Sequence, residues 1–382
     1  TFRRFPEFDF GVLGEAEGVV GPLFSALGNR ESPSRLPGVV FREGDEIRTT
    51  PRGGTIEDLD RLPFPAYDLL PSFPRAYRPA FLNYLRGPCA SVLSSRGCPQ
   101  ACTFCDRSVF GNRYRFFSED YLLEWIAQLS RRHGVRHLVF SDDQFAGSRE
   151  RLVRLCERIA GAGLDLQWNC DARADSIDPH LLKLMKRAGC WMISYGIESW
   201  SEEMLGEVRK RISLEAAMQA LRWTREAGIR TKGLFMIGFP GETESSLAST
   251  VSFVRRSPLD EINLSYVTPY PGTEIYRVLK RSPDFIENWE RMNALHPVVR
   301  PRFLPEGALE KAYAGILRQF YFRPGVTLSY AGLLLRSPEN RSRVGRGLVE
   351  GLRGSLGRCG NRLFGLGRRA LGGGHPGHRL PH

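Results

Sequence analysis

Long apolar runs are missing from this 382-residue chain. Stretches such as AGLLL at 331–335 fall far short of the roughly 20 residues that span a bilayer. The opening residues, TFRRFPEFDF, hold no apolar segment of the kind a secretory signal needs, so a cytoplasmic protein is expected. Cysteine is sparse and scattered: of eight, only three cluster, which argues against a secreted disulfide framework and for a reducing compartment. No histidine precedes His133. Lysine is absent from Arg323 onward, where eleven arginines face two glutamates, Glu339 and Glu350. That tail holds +9 of the formal charge of +12, so the remainder is nearly balanced and no nucleic-acid-binding face is expected on a folded body.

What is present reads as a mixed α/β protein. Residues 1–50 read as a short αβ piece: a buried strand in FDFGVLGEAEG, a helix in VVGPLFSALGN, and a hairpin in VVFREGDEIRTT turning at Glu43-Gly44-Asp45. Residues 51–89 are proline-rich (LPFPAYDLLPSFP), which rules out long helix or central strand and predicts an extended linker. From residue 90 to about 280, six apolar segments alternate with amphipathic ones: SVLSS, HLVFS, DLQWN, WMISYGI, TKGLFMIGF and INLSYV. Apolar rather than alternating strands fit parallel strands covered by helices, and six repeated βα units build either an open sheet or part of a barrel. Residues 281–336 read as an accessory region with a helix at ALEKAYAGILRQFYF, and 337–382 as a basic, Gly- and Arg-rich flexible tail.

The cysteine cluster is SRGCPQACTFCD, with Cys98, Cys102 and Cys105 in the loop after the first strand. Three small core residues on one helix face would share this spacing. Gly97, Pro99 and the polar Gln100, Thr103 and Asp106 oppose that reading. Structural zinc normally takes four protein ligands, and no fourth Cys or His lies at suitable spacing. An iron–sulfur cubane fits better: three thiolates leave one of its irons open to a small molecule that offers an amine and a carboxylate.

The C-x3-C-x2-C triplet on the first βα loop, with Phe104 just before the third cysteine, resembles the radical S-adenosylmethionine (SAM) superfamily over residues 90–280. The resemblance implies a partial (β/α)6 barrel of the TIM type. It also implies a [4Fe-4S] cluster held by Cys98, Cys102 and Cys105, with SAM on the open iron. Reductive cleavage of SAM would then produce a 5′-deoxyadenosyl radical that abstracts hydrogen from a substrate.

Barrel ligands collect at the C-terminal ends of strands, and candidates for holding SAM follow there in chain order. Asp142 and Asp143 stand where many members carry Gly-Gly-Glu; the Asp-Asp-x-Phe form resembles cobalamin-associated members, and helix capping near Ser148 is the plainer reading. Asn169 and Arg173 follow strand three, where a surface ion pair is the alternative for the arginine. Glu198 ends strand four, and a buried carboxylate there needs a partner. Gly238 lies in the turn after strand five, with Gly241 permitting close approach and Thr243 set to cap the next helix. Thr268, with Pro269 and Tyr270, resembles an adenine-side loop.

The Gly-Glu-x-Glu turn at 14–17 and the linker resemble the end of a Rossmann-like cobalamin-binding domain that precedes the barrel, so residues 1–50 are expected to be a truncated remnant of one. That subgroup's Asp-x-His-x-x-Gly cobalt-ligand motif does not occur. The expected function is a radical SAM enzyme that methylates or rearranges an unactivated carbon of a small-molecule or lipid-like substrate. Cobalamin is a candidate further cofactor, and flavodoxin or ferredoxin the electron source. A cobalamin-independent oxidoreductase or cyclase is the alternative, and a zinc-binding structural module a third. The segment from FRPGVTLSYAGLLLR onward could rest on an acidic membrane surface.

Overall fold

A computed structural model describes residues 2–3, 5–80 and 82–345. The N-terminal piece comprises β1 (Phe10–Val12), α1 (Glu17–Gly28), β2 (Val39–Glu43) and β3 (Glu46–Thr49). The three strands pair antiparallel, with Glu43 opposite Glu46 across the expected turn. A small core of Val19, Leu23, Val39 and Phe41 joins the helix to the sheet. β1 is not the buried strand expected: as an edge strand it runs from exposed to half-buried.

The central body follows as β4 (Cys89–Val92), β5 (Ser95–Arg96), β6 (Arg115–Phe116), α2 (Glu119–His133), β7 (His137–Phe140), α3 (Arg149–Gly161), β8 (Gln167–Ala172), α4 (Pro179–Arg187) and β9 (Cys190–Glu198). It continues through α5 (Glu202–Glu207), α6 (Leu214–Glu226), β10 (Arg230–Ile237), α7 (Glu244–Arg256) and β11 (Glu261–Tyr266). The strands β4, β7, β8, β9, β10 and β11 pair in chain order, all parallel, and β11 does not close onto β4. This is a partial barrel of six βα units. Each segment read as a strand lies at one of these six positions. Ser118 caps α2 and Thr243 caps α7, so both sequence signals mark real helix starts.

One face of the sheet packs on the helices. Trp168, Cys170 and Ala172 of β8 join that core, so the alternating Asn169, Asp171 and Arg173 face the lumen. Asp171 and Ser194 hydrogen-bond across adjacent strands. Below them Lys232 pairs with Glu261 at 2.8 Å and donates to Asn83 Oδ1 at 3.2 Å.

Residues 51–89 differ from the extended linker expected. Leu59 and Tyr84 are fully buried, and Phe64, Tyr67 and Phe73 pack against the core beside α2. Prolines bar this segment from helix and sheet, but not from lying as a strap along a helix face. Beyond β11 come α8 (Glu274–Leu279), α9 (Ala308–Tyr321) and α10 (Pro324–Arg336). The start of the segment expected to be flexible is instead docked. Asn340 is fully buried, with its Nδ2 donating to Tyr84 O at 2.8 Å and its Oδ1 accepting from Leu82 N at 3.2 Å. Residues 346–382 lie outside the described residues. No helix among the described residues is long and apolar enough to cross a membrane.

Candidate functional site

The cysteine loop leaves the barrel between β5 and β6, whose antiparallel pairing fastens its two ends. Gly97 begins it at φ +80°, in the left-handed region, and a Cβ there would lie 2.2 Å from Arg113 O. Only glycine fits. Asp143 Oδ2 accepts from Gly97 N at 2.9 Å. Asp142 Oδ1 accepts from Ser94 N, Ser94 Oγ and Ser95 Oγ at 3.0, 2.7 and 2.6 Å. Neither aspartate caps α3; Ser148 does that itself. The two carboxylates instead hold the backbone on which the cysteines are strung. Arg151, fully buried on α3, donates to Ser94 O at 2.7 Å from behind.

The three thiols gather at this end of the sheet. Cys102 and Cys105 hydrogen-bond to each other, and Cys98 lies within electrostatic reach of Cys102. The bond from Cys105 holds Cys102 down to about 6 against the effect of burial, with help from Lys210 and Arg173. The same bond pushes Cys105 up; burial pushes Cys98 up. Glu198 ends β9 at φ +66°, and its Oε1 meets Lys210 Nζ at 2.9 Å. The carboxylate therefore has its partner, and the pair lies beside Cys102 and Cys105. Arg173 pairs with Asp175 at 2.6 Å, but as a buried side chain rather than in the surface pair read as its alternative, and it reaches Cys98 and Cys102 electrostatically.

Other candidates land elsewhere. Asn169 is not at a strand end. β8 runs on to Ala172, and Asn169 Nδ2 donates to Asn83 O at 2.6 Å, deeper in the lumen. Phe104 packs with Met204, Val208, Phe239 and Val267 under the loop. Thr268 is buried and donates to Tyr266 O at 3.2 Å. Gly238, at φ +90°, opens the turn after β10. The sequence reading missed Lys210, which sits in the charge run Arg209-Lys210-Arg211, and Glu242.

Glu242 is fully buried and folds that turn, accepting from Gly238 N and Phe239 N. Burial pushes its carboxyl up to about 7 despite those two bonds. The folded chain thus keeps a proton that the unfolded chain releases near the ordinary value of 4.5. Its stabilising contribution is full below that pH and is lost as pH rises toward 7, by about 3 kcal/mol. Urea unfolding of the parent should therefore weaken between pH 4.5 and 7.5 by that much more than unfolding of Glu242→Gln. Parallel pH profiles would refute it.

Comparison with known proteins follows this geometry. The sequence model of the radical SAM superfamily matches residues 92–254. An uncharacterised methyltransferase of Pyrococcus horikoshii is 30% identical over 330 residues, covering 86% of this chain and 70% of the relative. This chain belongs to the radical SAM superfamily. The anaerobic magnesium-protoporphyrin IX monomethyl ester cyclase of Cereibacter sphaeroides is 28% identical, covering 85% of this chain and 53% of its own. The hopanoid C-3 methylase of Methylococcus capsulatus is 32% identical over 276 residues, covering 72% and 50%. The chain thus spans about half the length of those two relatives. Among solved structures, the radical SAM methyltransferase TsrM of Kitasatospora setae, with cobalamin and a [4Fe-4S] cluster bound, superposes with a TM-score of 0.65. The identity is 18%, and 85% of this chain and 70% of the other are covered.

Radical SAM membership brings a [4Fe-4S] cluster and SAM as cofactors, and the donor chemistry, three thiols on one loop, fits the cluster. No three His, Cys, Asp or Glu among the described residues converge on a single ion. Cubane thiolates each take a different iron, so they need to be close without converging. Lys210 and Arg173 lie within electrostatic reach of Cys102 and favour its thiolate, the form that binds iron.

Proposed function

We propose that this chain is a radical SAM enzyme in which Cys98, Cys102 and Cys105 hold the cluster. Its reaction methylates or rearranges an unactivated carbon of a small-molecule or lipid-like substrate. The gathering of three thiols beside Glu198–Lys210 and Arg173 carries this reading. When bound, the cluster and SAM supply one-electron cleavage of a sulfonium and a carbon radical able to take hydrogen from an unreactive C–H bond. The chain's own residues then have definite tasks. Asp142 and Asp143 fix the cysteine loop. Lys210 and Arg173 balance its negative charge. Glu198 offers the carboxylate nearest the thiols to the amine or ribose of SAM. The Gly238–Glu242 turn presents close backbone to it. Asp171, Ser194 and Lys232 give the lumen polar groups that orient a substrate.

Methylation is favoured by the methyltransferases among the relatives. A second reading, a cobalamin-independent oxidoreductase or cyclase, is favoured by the cyclase relatives. Peripheral membrane contact belongs to the same set of proposals: Phe322, Leu328 and Leu335 are exposed around α10. Anaerobic reconstitution with iron and sulfide, followed by SAM and dithionite, should yield 5′-deoxyadenosine and methionine without added substrate. A colourless protein that binds zinc and leaves SAM intact would refute the proposal. Repeating the assay with and without hydroxocobalamin separates the two readings.

A further inference from the structure

The basic residues of α8 form a surface with no role in the site so far. We propose that this surface is the docking face for an acidic one-electron carrier protein that reduces the cluster. The inference rests on the reading above, because only a cluster reduced from outside needs such a partner. In the step itself, the carrier loses one electron and the cluster gains it, with no bond made or broken.

Three observations carry it. First, α8 lies directly on the cysteine loop. Ile275 N donates to Thr103 O at 3.0 Å, and Ile275, Tyr276 and Leu279 share one apolar cluster with Phe104. Cys105, the exposed member of the triplet, lies two residues beyond Thr103 on this loop. Second, Arg277, Lys280 and Arg281 are all exposed. Arg277 lies in the last turn of α8, Lys280 caps it, and Arg281 follows in the turn beyond. None has a carboxylate within ion-pair distance among the described residues, whereas Glu274 of the same helix is already paired with Arg209. Third, an exposed apolar group lies among these cations in the chain, Val278 at 70% exposure. A small apolar centre beside unpaired charge of one sign suits a transient redox encounter: small in area, steered by charge, and quick to release.

The test uses the reconstituted chain and a flavodoxin in its hydroquinone form. Stopped-flow bleaching of the cluster is followed in the parent, in the triple variant Arg277→Glu/Lys280→Glu/Arg281→Glu, and in a control reversed on a remote face, Arg255→Glu/Lys311→Glu. The triple variant should be reduced about tenfold or more slowly, with a flattened salt dependence. Dithionite should reduce all three alike. Calorimetric binding of oxidised flavodoxin should weaken only in the triple variant. Parent-like reduction of the triple variant, or equal slowing of the control, would overturn the proposal. So would loss of binding to anionic vesicles in the triple variant with flavodoxin reduction intact, which would assign the face to a membrane. A chain that takes up no iron, or that dithionite cannot reduce, marks failure of the cluster assignment instead.

Discussion

Replacement of any one of Cys98, Cys102 or Cys105 by alanine is expected to lower bound iron from about four atoms per chain to near zero, and SAM cleavage below detection. A cubane held at three corners has no spare protein ligand, so losing one thiolate removes a third of its attachment and opens a second iron to water. The loss should be far out of proportion to any change in fold stability, since Cys98 is only half-buried and Cys105 is exposed. Cys156→Ala is the matched control. Its thiol is buried in the core beside α3 and pushed above the usual range by burial. It should keep its iron and cost about 1 kcal/mol of stability. Iron analysis and the visible spectrum after anaerobic reconstitution decide the matter. A triplet variant that retained the parent's iron would remove the assignment.

The second large effect is expected at a residue that touches no iron. Gly97→Ala places a methyl group 2.2 Å from Arg113 O and 3.1 Å from Phe110 O, at a backbone angle that L-residues rarely hold. The carbonyls are backbone atoms fastened by the β5–β6 pair, so they cannot swing aside as a side chain could. Relief must come from moving the loop, which breaks the bond from Gly97 N to Asp143 and displaces Cys98. The cost is on the order of 3 kcal/mol or more. The expected signature is a folded chain with a lowered melting temperature and strongly reduced iron uptake, although every thiol is present. Normal iron uptake with unchanged melting would show that the loop is not held as described.

Much of this was legible in the residues. The six strands could be read because their segments are mostly apolar, and the helices between them because their caps and apolar stripes are local signals. The cysteines stood out by spacing, and Glu198 by the physical demand that a buried carboxylate find a partner. The partner itself was not legible. Lys210 lies in a run of charges that reads as solvated surface, and only the bend after α5 brings it back over the end of β9. Arg151 was hidden for a similar reason, since on an amphipathic helix an arginine is assigned to the wet side by default. Asn169 was misplaced because apolar pattern locates a strand better than it locates the strand's end. The proline-rich strap was underestimated because proline forbids particular backbone hydrogen bonds, not burial.

The Gly-Glu-x-Glu turn has one more consequence. Glu15 is almost completely buried and receives Arg96 Nη1 at 2.9 Å, Arg115 Nη1 at 2.9 Å and Ile56 N at 2.6 Å. Burial alone would raise its carboxyl, but these partners hold it below the ordinary range. Arg96 and Arg115 are the two strand residues that bracket the cysteine loop. The first fifty residues are therefore not an appendage that can be trimmed. Cutting them away would strand two guanidinium groups in a dry interior at the mouth of the loop. The barrel is therefore not a free-standing unit: Glu15 and Glu17 tie the N-terminal residues to the strand pair at the mouth of the cysteine loop.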